Sequence, residues 1–289
     1  MTFGQKKIMI PYLFIALLIG VFVTAFWHGI VVKTYNISSD KVKASVKIAV
    51  IADLHDCYFG KNQEGLIKAI RNQEPDMILL VGDIADDRKP HDAVEELLSV
   101  IGSKYPCFYV SGNHEIWSGH ADQIKDMIRS YGVTVLEGET KVLSIDGQKI
   151  QVSGLDDPEA FHPRYRTEHT KGESFYDQLH NCKTQREESY YSVLLSHRPE
   201  LIDEYVESGY DLIVSGHAHG GQFRIPFILN GFYAPHQGFF PKYTGGCYPL
   251  NEAFLVVSRG LSKSILLRFF NPPELVIVNL KGRFSINNK

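Results

Sequence analysis

The stretch Val214 to Gln222 reads V-S-G-H-A-H-G-G-Q, placing two imidazoles, His217 and His219, one residue apart directly after Asp211 to Val214, which reads as a buried strand. In extended backbone, side chains two residues apart share a face at about 6.5 Å separation, so both rings can address one metal pair from one sheet edge. Gly216, Gly220 and Gly221 allow the tight turning and close backbone approach that a ligand-gathering loop needs. An H-x-H pair also arises by chance, so its weight depends on what the rest of the chain brings to the same edge.

The preceding elements bring a good deal. Ala44 to Ala52 reads as a strand ending at Asp53, with His55 two residues on; Met77 to Val81 is all apolar and ends at Gly82 and Asp83; Cys107 to Val110 ends at Gly112, Asn113 and His114. Apolar runs of this kind belong to strands buried on both faces. Helices are expected between them, over Asn62 to Asn72, Ala93 to Ile101 and Ala121 to Tyr131. In open α/β sheets, ligands bind outside the carboxyl ends of strands, and three successive strands here end in ligand-type residues. Tyr190 to Leu195 repeats the pattern, ending at Ser196 and His197. The collected set of Asp53, His55, Asp83, Asn113, His114, His197, His217 and His219 mixes carboxylate, imidazole and amide oxygen. That mixture suits Mn, Fe or Zn and is too rich in nitrogen for calcium.

Composition narrows the class. The chain has 289 residues, 44% of them hydrophobic, enough for one sizeable core and a small appended element. A net charge of -3 carries no basic excess of the kind that binds nucleic acid. Cys57, Cys107, Cys182 and Cys247 form no C-x-x-C, so they are read as free thiols. Ile8 to Trp27 contains no charge, and about 20 apolar residues span a hydrocarbon core of roughly 30 Å. We therefore expect a membrane anchor over residues 1–32, a polar linker over 33–43 and one domain over 44–289. The apolar run exceeds the length of a cleaved signal's core. Lys6 and Lys7 before the span are balanced by Lys33, Lys41, Lys43 and Lys47 beyond it, so charge assigns the domain to neither side.

The second half changes character. Lys141 to Ile145 and Lys149 to Ser153 flank Asp146-Gly147, a strong hairpin signal. Asp156 to Gln185 reads as polar and irregular, its His162, His169 and His180 as solvent-facing loop residues. A helix is expected after Pro199, a Gly- and aromatic-rich loop over Gly231 to Tyr248, and closing strands over Ala253 to Val257 and Leu275 to Leu280. The fold class is thus mixed α/β (α+β), two sheets packed together as a sandwich with helices outside.

Five blocks in order, D-L-H (Asp53 to His55), G-D-I-A-D (Gly82 to Asp86), G-N-H-E (Gly112 to Glu115), S-H (Ser196, His197) and G-H-A-H (Gly216 to His219), resemble the calcineurin-like metallophosphoesterases over roughly Lys47 to Leu280. The resemblance implies a two-sheet sandwich flanked by helices and two divalent metal ions. Asp53, His55 and His219 would hold the first, Asn113, His197 and His217 the second, and Asp83 would bridge them. Such a pair, about 3.5–4 Å apart, clamps a phosphoryl group and activates water. By the same resemblance His114 would protonate or stabilise the leaving oxygen, oriented by Asp86. The protein-phosphatase branch places arginine directly after that aspartate, whereas here Asp87 intervenes before Arg88. Arg198, beside His197, is a candidate contact for a substrate phosphate.

The anchor, S-H-R-P, G-H-A-H-G-G-Q, S-R-G-L (Ser258 to Leu261) and N-P-P-E (Asn271 to Glu274) look like the bacterial membrane-associated branch, whose members include phosphodiesterases and enzymes acting on UDP-diacylglucosamine. The resemblance thus implies a membrane-anchored phosphohydrolase cleaving a phosphodiester or pyrophosphate, in a lipid or envelope precursor. A phosphomonoesterase and a non-catalytic scaffold are the alternatives, the scaffold disfavoured because every ligand position is kept. Phe232, Tyr233, Phe239, Phe240 and Tyr243 are expected to form a packed loop core, or else a surface for acyl chains.

Overall fold

Alternation along the strands assigns each side chain to a layer, and the layers build the molecule. The computed structural model describes residues 3–263 and 268–283, with side chains from Tyr12 onward. The chain forms α1 (Phe3–Ala25), β1 (Val31–Ser39), β2 (Val46–Ile51), α2 (Glu64–Arg71), β3 (Met77–Val81), α3 (Asp92–Ile101), β4 (Cys107–Val110), α4 (Asn113–Trp117), α5 (Ala121–Ser130) and β5 (Thr134–Val135). There follow β6 (Glu139–Ile145), β7 (Gln148–Gly154), α6 (Phe175–Thr184), β8 (Tyr191–Leu195), α7 (Ile202–Glu207), β9 (Leu212–Ser215), β10 (Tyr233–Ala234), β11 (Gly238–Phe239), β12 (Gly246–Leu250), β13 (Ala253–Val257) and β14 (Glu274–Gly282).

One six-stranded sheet has the order β1-β14-β2-β3-β4-β5 and the other β12-β13-β9-β8-β7-β6. In β2, Ile48 and Val50 point between the sheets, where they pack with Val193, Leu195 and Val214. Ala49 and Ile51, one residue out of phase, face Leu66, Ile70, Leu97 and Ile128 from α2, α3 and α5. On the far side, Leu194 and Ile213 meet Phe175, Leu179 and Tyr205 from α6 and α7. The result is a four-layer α/β/β/α sandwich, because the strands at the middle of each sheet, β2, β3, β8 and β9, are apolar on both faces. The β6–β7 hairpin turns through Asp146 and Gly147, with φ of 47° and 79°, the left-handed pair that a two-residue hairpin favours.

Three expectations are corrected. The polar stretch 33–43 is no linker: Val31 to Ser39 pairs in parallel with Glu274 to Gly282. As an edge strand it buries Ile37 and leaves Lys33, Thr34 and Asn36 outside, so its composition resembles a tether. The irregular stretch 156–185 contains α6, whose start is closed by a reciprocal Ser174–Asp177 capping box; His162, His169 and His180 are exposed as expected. The aromatic loop is not a packed core. Tyr243 is buried, but Phe232, Tyr233, Phe239 and Phe240 are exposed.

At the other end, α1 stops at Ala25, which is buried, and its described side chains before that residue, Leu13, Phe14, Leu17, Leu18 and Phe22 among them, are exposed. Among the described residues no helix is long and apolar enough to cross a membrane. The expected span from Ile8 to Trp27 includes residues 8–11, whose side chains lie outside the described ones, as do residues 284–289 of the expected domain.

Candidate metal centre

Five parallel-running strand ends converge on one rim. Asp53 and His55 follow β2, Asp83 follows β3, Asn113 opens α4 just after β4, His197 follows β8, and His217 and His219 follow β9. The backbone is bent to deliver them. Asp53, His55, Asp83, His217 and His219 have φ of 50°, 49°, 51°, 64° and 47°, left-handed conformations that cost of order 1 kcal/mol or more each for residues with a Cβ. Close approach also demands glycine at Gly112, where a Cβ would lie 2.3 Å from Asp83 Oδ1.

A buried carboxylate braces the bend. Glu115 Oε1 accepts the Ile84 and Ala85 N–H groups (2.7 and 3.0 Å), and Oε2 those of Asp83 and Gly112 (both 2.9 Å). Across the sandwich, Asp53 Oδ1 accepts the His217 N–H at 3.0 Å. His197 Nδ1 donates to the Val81 carbonyl at 2.9 Å, which leaves its Nε2 toward the cluster. The Asn271 amide donates to the carbonyls of His219 and Gln222 (2.7 and 3.2 Å). Glu115 and Asn271 lie inside quoted motifs, yet sequence alone gave neither a role.

The donor set fits a pair of cations. Asp53 Oδ2, His55 Nε2, Asp83 Oδ2, Asn113 Oδ1, His197 Nε2, His217 Nδ1 and His219 Nδ1 are buried with no hydrogen-bond partner. One stranded atom thus falls on each of the seven expected ligands. Stranding a buried polar atom costs about 1–3 kcal/mol, and this many together need a common partner. The atoms group as Asp53, His55, Asp83 and His219 on one side and Asp83, His197 and His217 on the other, each group within 4.8 Å. Asp83 belongs to both; its Oδ2 lies 3.6 Å from His55 Nε2 and 3.2 Å from His197 Nε2. Electrostatics agree with this. Burial, then the neighbouring His197, holds the His217 imidazole well below its usual range; burial, then His55, does the same for His219. Both are therefore neutral and have a lone pair to give. Burial pushes the Asp53 carboxyl up to about 6, with the Asp83 charge adding to the rise.

Beside the cluster, the acid facing His114 is not the expected one. His114 Nδ1 meets Asp87 Oδ1 at 2.7 Å. Asp86 instead faces Lys89 Nζ at 2.8 Å and His55 Nδ1 at 3.6 Å, where it orients the imidazole of a candidate ligand. Burial acts to raise Asp86, but His55 and Lys89 outweigh it and hold the carboxyl low. Once Asp87 is the partner, Arg88 does directly follow the dyad aspartate, with its side chain exposed. Arg198 is buried, its Nε and Nη2 on the Asp157 carboxylate at 2.5 and 2.9 Å. Its Nη1 lies 2.7 Å from His236 Nδ1 and 3.3 Å from His217 Nε2. His236, half-exposed between β10 and β11, went unread in the sequence because a lone histidine in an aromatic loop carries no spacing signal.

A four-layer sandwich with an Asp/His/Asn cluster across the carboxyl ends of its central strands defines a metallophosphoesterase. Residues 46–221 match the calcineurin-like phosphoesterase model, and the chain belongs to that family. It is 32% identical over 262 residues to an uncharacterized metallophosphoesterase of Campylobacter jejuni, covering 87% of this chain and 63% of that protein, so it spans less than two thirds of that relative's length. It is similar to the metallophosphoesterase YkuE of Bacillus subtilis at 29% identity, covering 82% of this chain and 79% of that one. The phosphodiesterase YaeI of Escherichia coli is 26% identical, with 82% and 83% covered.

Proposed function

We propose that this chain is a dinuclear-metal phosphohydrolase that cleaves a phosphodiester or pyrophosphate bond in a lipid or envelope precursor, held at a membrane by residues around Ile8 to Trp27. The observation that carries the hydrolase reading is the stranded atom on each of seven ligand-type side chains, with Asp83 common to both groups. Asp53, His55 and His219 hold one cation, Asn113, His197 and His217 the other. When bound, such a pair supplies Lewis acidity toward a phosphoryl oxygen and lowers the pKa of water.

The chain's own groups do the rest. His114, with Nδ1 held by Asp87, presents Nε2 as the proton donor to the leaving oxygen. Asp86 and the Val81 carbonyl fix the rings of His55 and His197, and Arg198, paired with Asp157, braces His217 from behind through Nη1. The kinship with a phosphodiesterase supports a diester, and the exposed apolar side chains of α1 support the membrane.

Hydrolysis of bis-p-nitrophenyl phosphate against p-nitrophenyl phosphate by the full chain, with Mn added or chelated, tests the reading. We expect diester cleavage that requires metal and disappears in Asp83→Asn. Both His114→Ala and Asp87→Asn should slow it by about 10²-fold or more, whereas Arg88→Ala leaves it unchanged. Preference for the monoester would make the protein a phosphomonoesterase, and a chain that binds no metal would be a scaffold.

A further inference from the structure

Phe227 is fully exposed, at 109% relative accessibility, yet sits at φ 67°, a backbone conformation that bulky residues avoid. Its turn is well defined. The Ile228 N–H donates to the Ile225 carbonyl at 3.0 Å, and Ile225 and Leu229 exchange backbone bonds at 3.0 and 2.8 Å. Pro226 takes the second position and Phe227 the third, where a type II turn normally carries Gly or Asn. A side chain that strains its backbone and covers nothing does not serve the fold. Phe240 repeats the backbone strain at φ 55° and 67% exposure, beside the exposed Phe239, the two rings meeting those of Phe232 and Tyr233 edge-on.

Charge and position say what these side chains face. From Leu212 to Asn251 the sequence contains no Asp or Glu, while Arg224 and Lys242 flank the turn and the hairpin. The same segment is tied to the end of α1. The Phe270 N–H donates to the Ala25 carbonyl at 2.8 Å, the Arg224 N–H donates to Phe269 O at 3.0 Å, and the Phe26 and Phe269 rings meet edge-on at 5.5 Å. Exposed phenylalanines therefore emerge beside an exposed apolar helix. At its other end the segment sets His236 against His217, 3.1 Å apart.

We propose that the turn Ile225 to Leu229 and the tip Phe239–Phe240 insert into an anionic lipid bilayer, seating the mouth of the metal centre at the headgroup layer. Aromatic and aliphatic side chains with basic neighbours and no acids in the same segment are the composition of interfacial segments, the nearby Glu200 lying at the His236 end instead. An apolar groove of about 290 Å³ behind the turn, lined by Phe223, Leu229, Phe232 and Phe269 with Arg224 beside them, is suited to an acyl chain below a phosphate. The proposal rests on the membrane reading given above.

The test uses the full chain in vesicles of phosphatidylethanolamine and phosphatidylglycerol, with or without bromine on the acyl chains as a quencher of tryptophan emission. F227W should add emission that brominated lipid quenches by half or more, whereas V142W, exposed on β6, should add emission that it leaves alone. Native Trp27, isolated by comparison with W27F, reports the helix independently. Quenching of Trp27 without quenching of the F227W signal would overturn insertion of the turn and leave the anchor standing. Absence of both would overturn the anchor and the proposal together. Equal quenching in vesicles of phosphatidylcholine alone would overturn the preference for anionic lipid.

Discussion

Asp83 divides its two oxygens between structure and chemistry: Oδ1 accepts the His114 N–H at 2.8 Å, while Oδ2 is the stranded atom shared by both groups of ligands. The shared carboxylate also governs His197. Burial acts to lower that imidazole, but Asp83 and Asp53 outweigh it and raise it from 6.5 to about 10. With no cation bound, a proton on His197 Nε2 would lie 3.2 Å from Asp83 Oδ2 and pair the two atoms, and loading a cation would expel it. Metal affinity should rise with pH up to about 10, by up to about 1.4 kcal/mol per unit. Calorimetry in buffers of differing ionisation enthalpy should find a proton released on binding. The linked stability has a definite sign. A raised imidazole stabilises the metal-free fold fully below 6.5 and loses that contribution as pH climbs through about 10. His217 and His219, held low by burial, are already neutral across that window. The thermal midpoint of the protein in chelator should thus fall between those limits, and the fall should vanish in His197→Asn.

Among the elements, the strands delivering the site were the most legible part of the sequence. Met77 to Val81 and Cys107 to Val110 are bounded by proline or polar residues and end at Gly82 and Ser111-Gly112, so their limits were readable to the residue. The seven candidate ligands could be collected the same way, because each stands at such an end. What spacing could not show is the path of the loops. Asp86 and Asp87 are adjacent acids, and the backbone between Asp83 and Asp87 decides which reaches His114. Glu115 fixes that path through the amides of Asp83, Ile84 and Ala85 and ties it to Gly112, and its carboxylate is fully buried. Glu115→Gln puts an NH2 group against N–H donors, so we expect a loss on the order of 3 kcal/mol in denaturant unfolding. Metal affinity should weaken with it, since Asp83 rides on the same loop.

For the whole molecule, the edge strand β1 means that the folded unit starts no later than Val31. A fragment beginning at residue 44 would remove the nine-residue pairing with β14 and the buried Ile37. That fragment should be less stable than one beginning at Trp27 by at least ~2 kcal/mol, the value of one buried isoleucine alone, or should aggregate through the bared edge of β14. Urea unfolding of the two fragments decides it. The sheet order has a further consequence, in time. Because β14 lies between β1 and β2, the first two strands to leave a ribosome cannot join the same sheet until the segment 274–282 has been made and inserted. Contacts so distant along the chain form slowly, and until then β2, the strand leading to Asp53, has an open edge. The nascent protein therefore depends longest on whatever shields unpaired strands during synthesis, and a chain cut short before Glu274 should be degraded or aggregate even though every candidate ligand has already been translated.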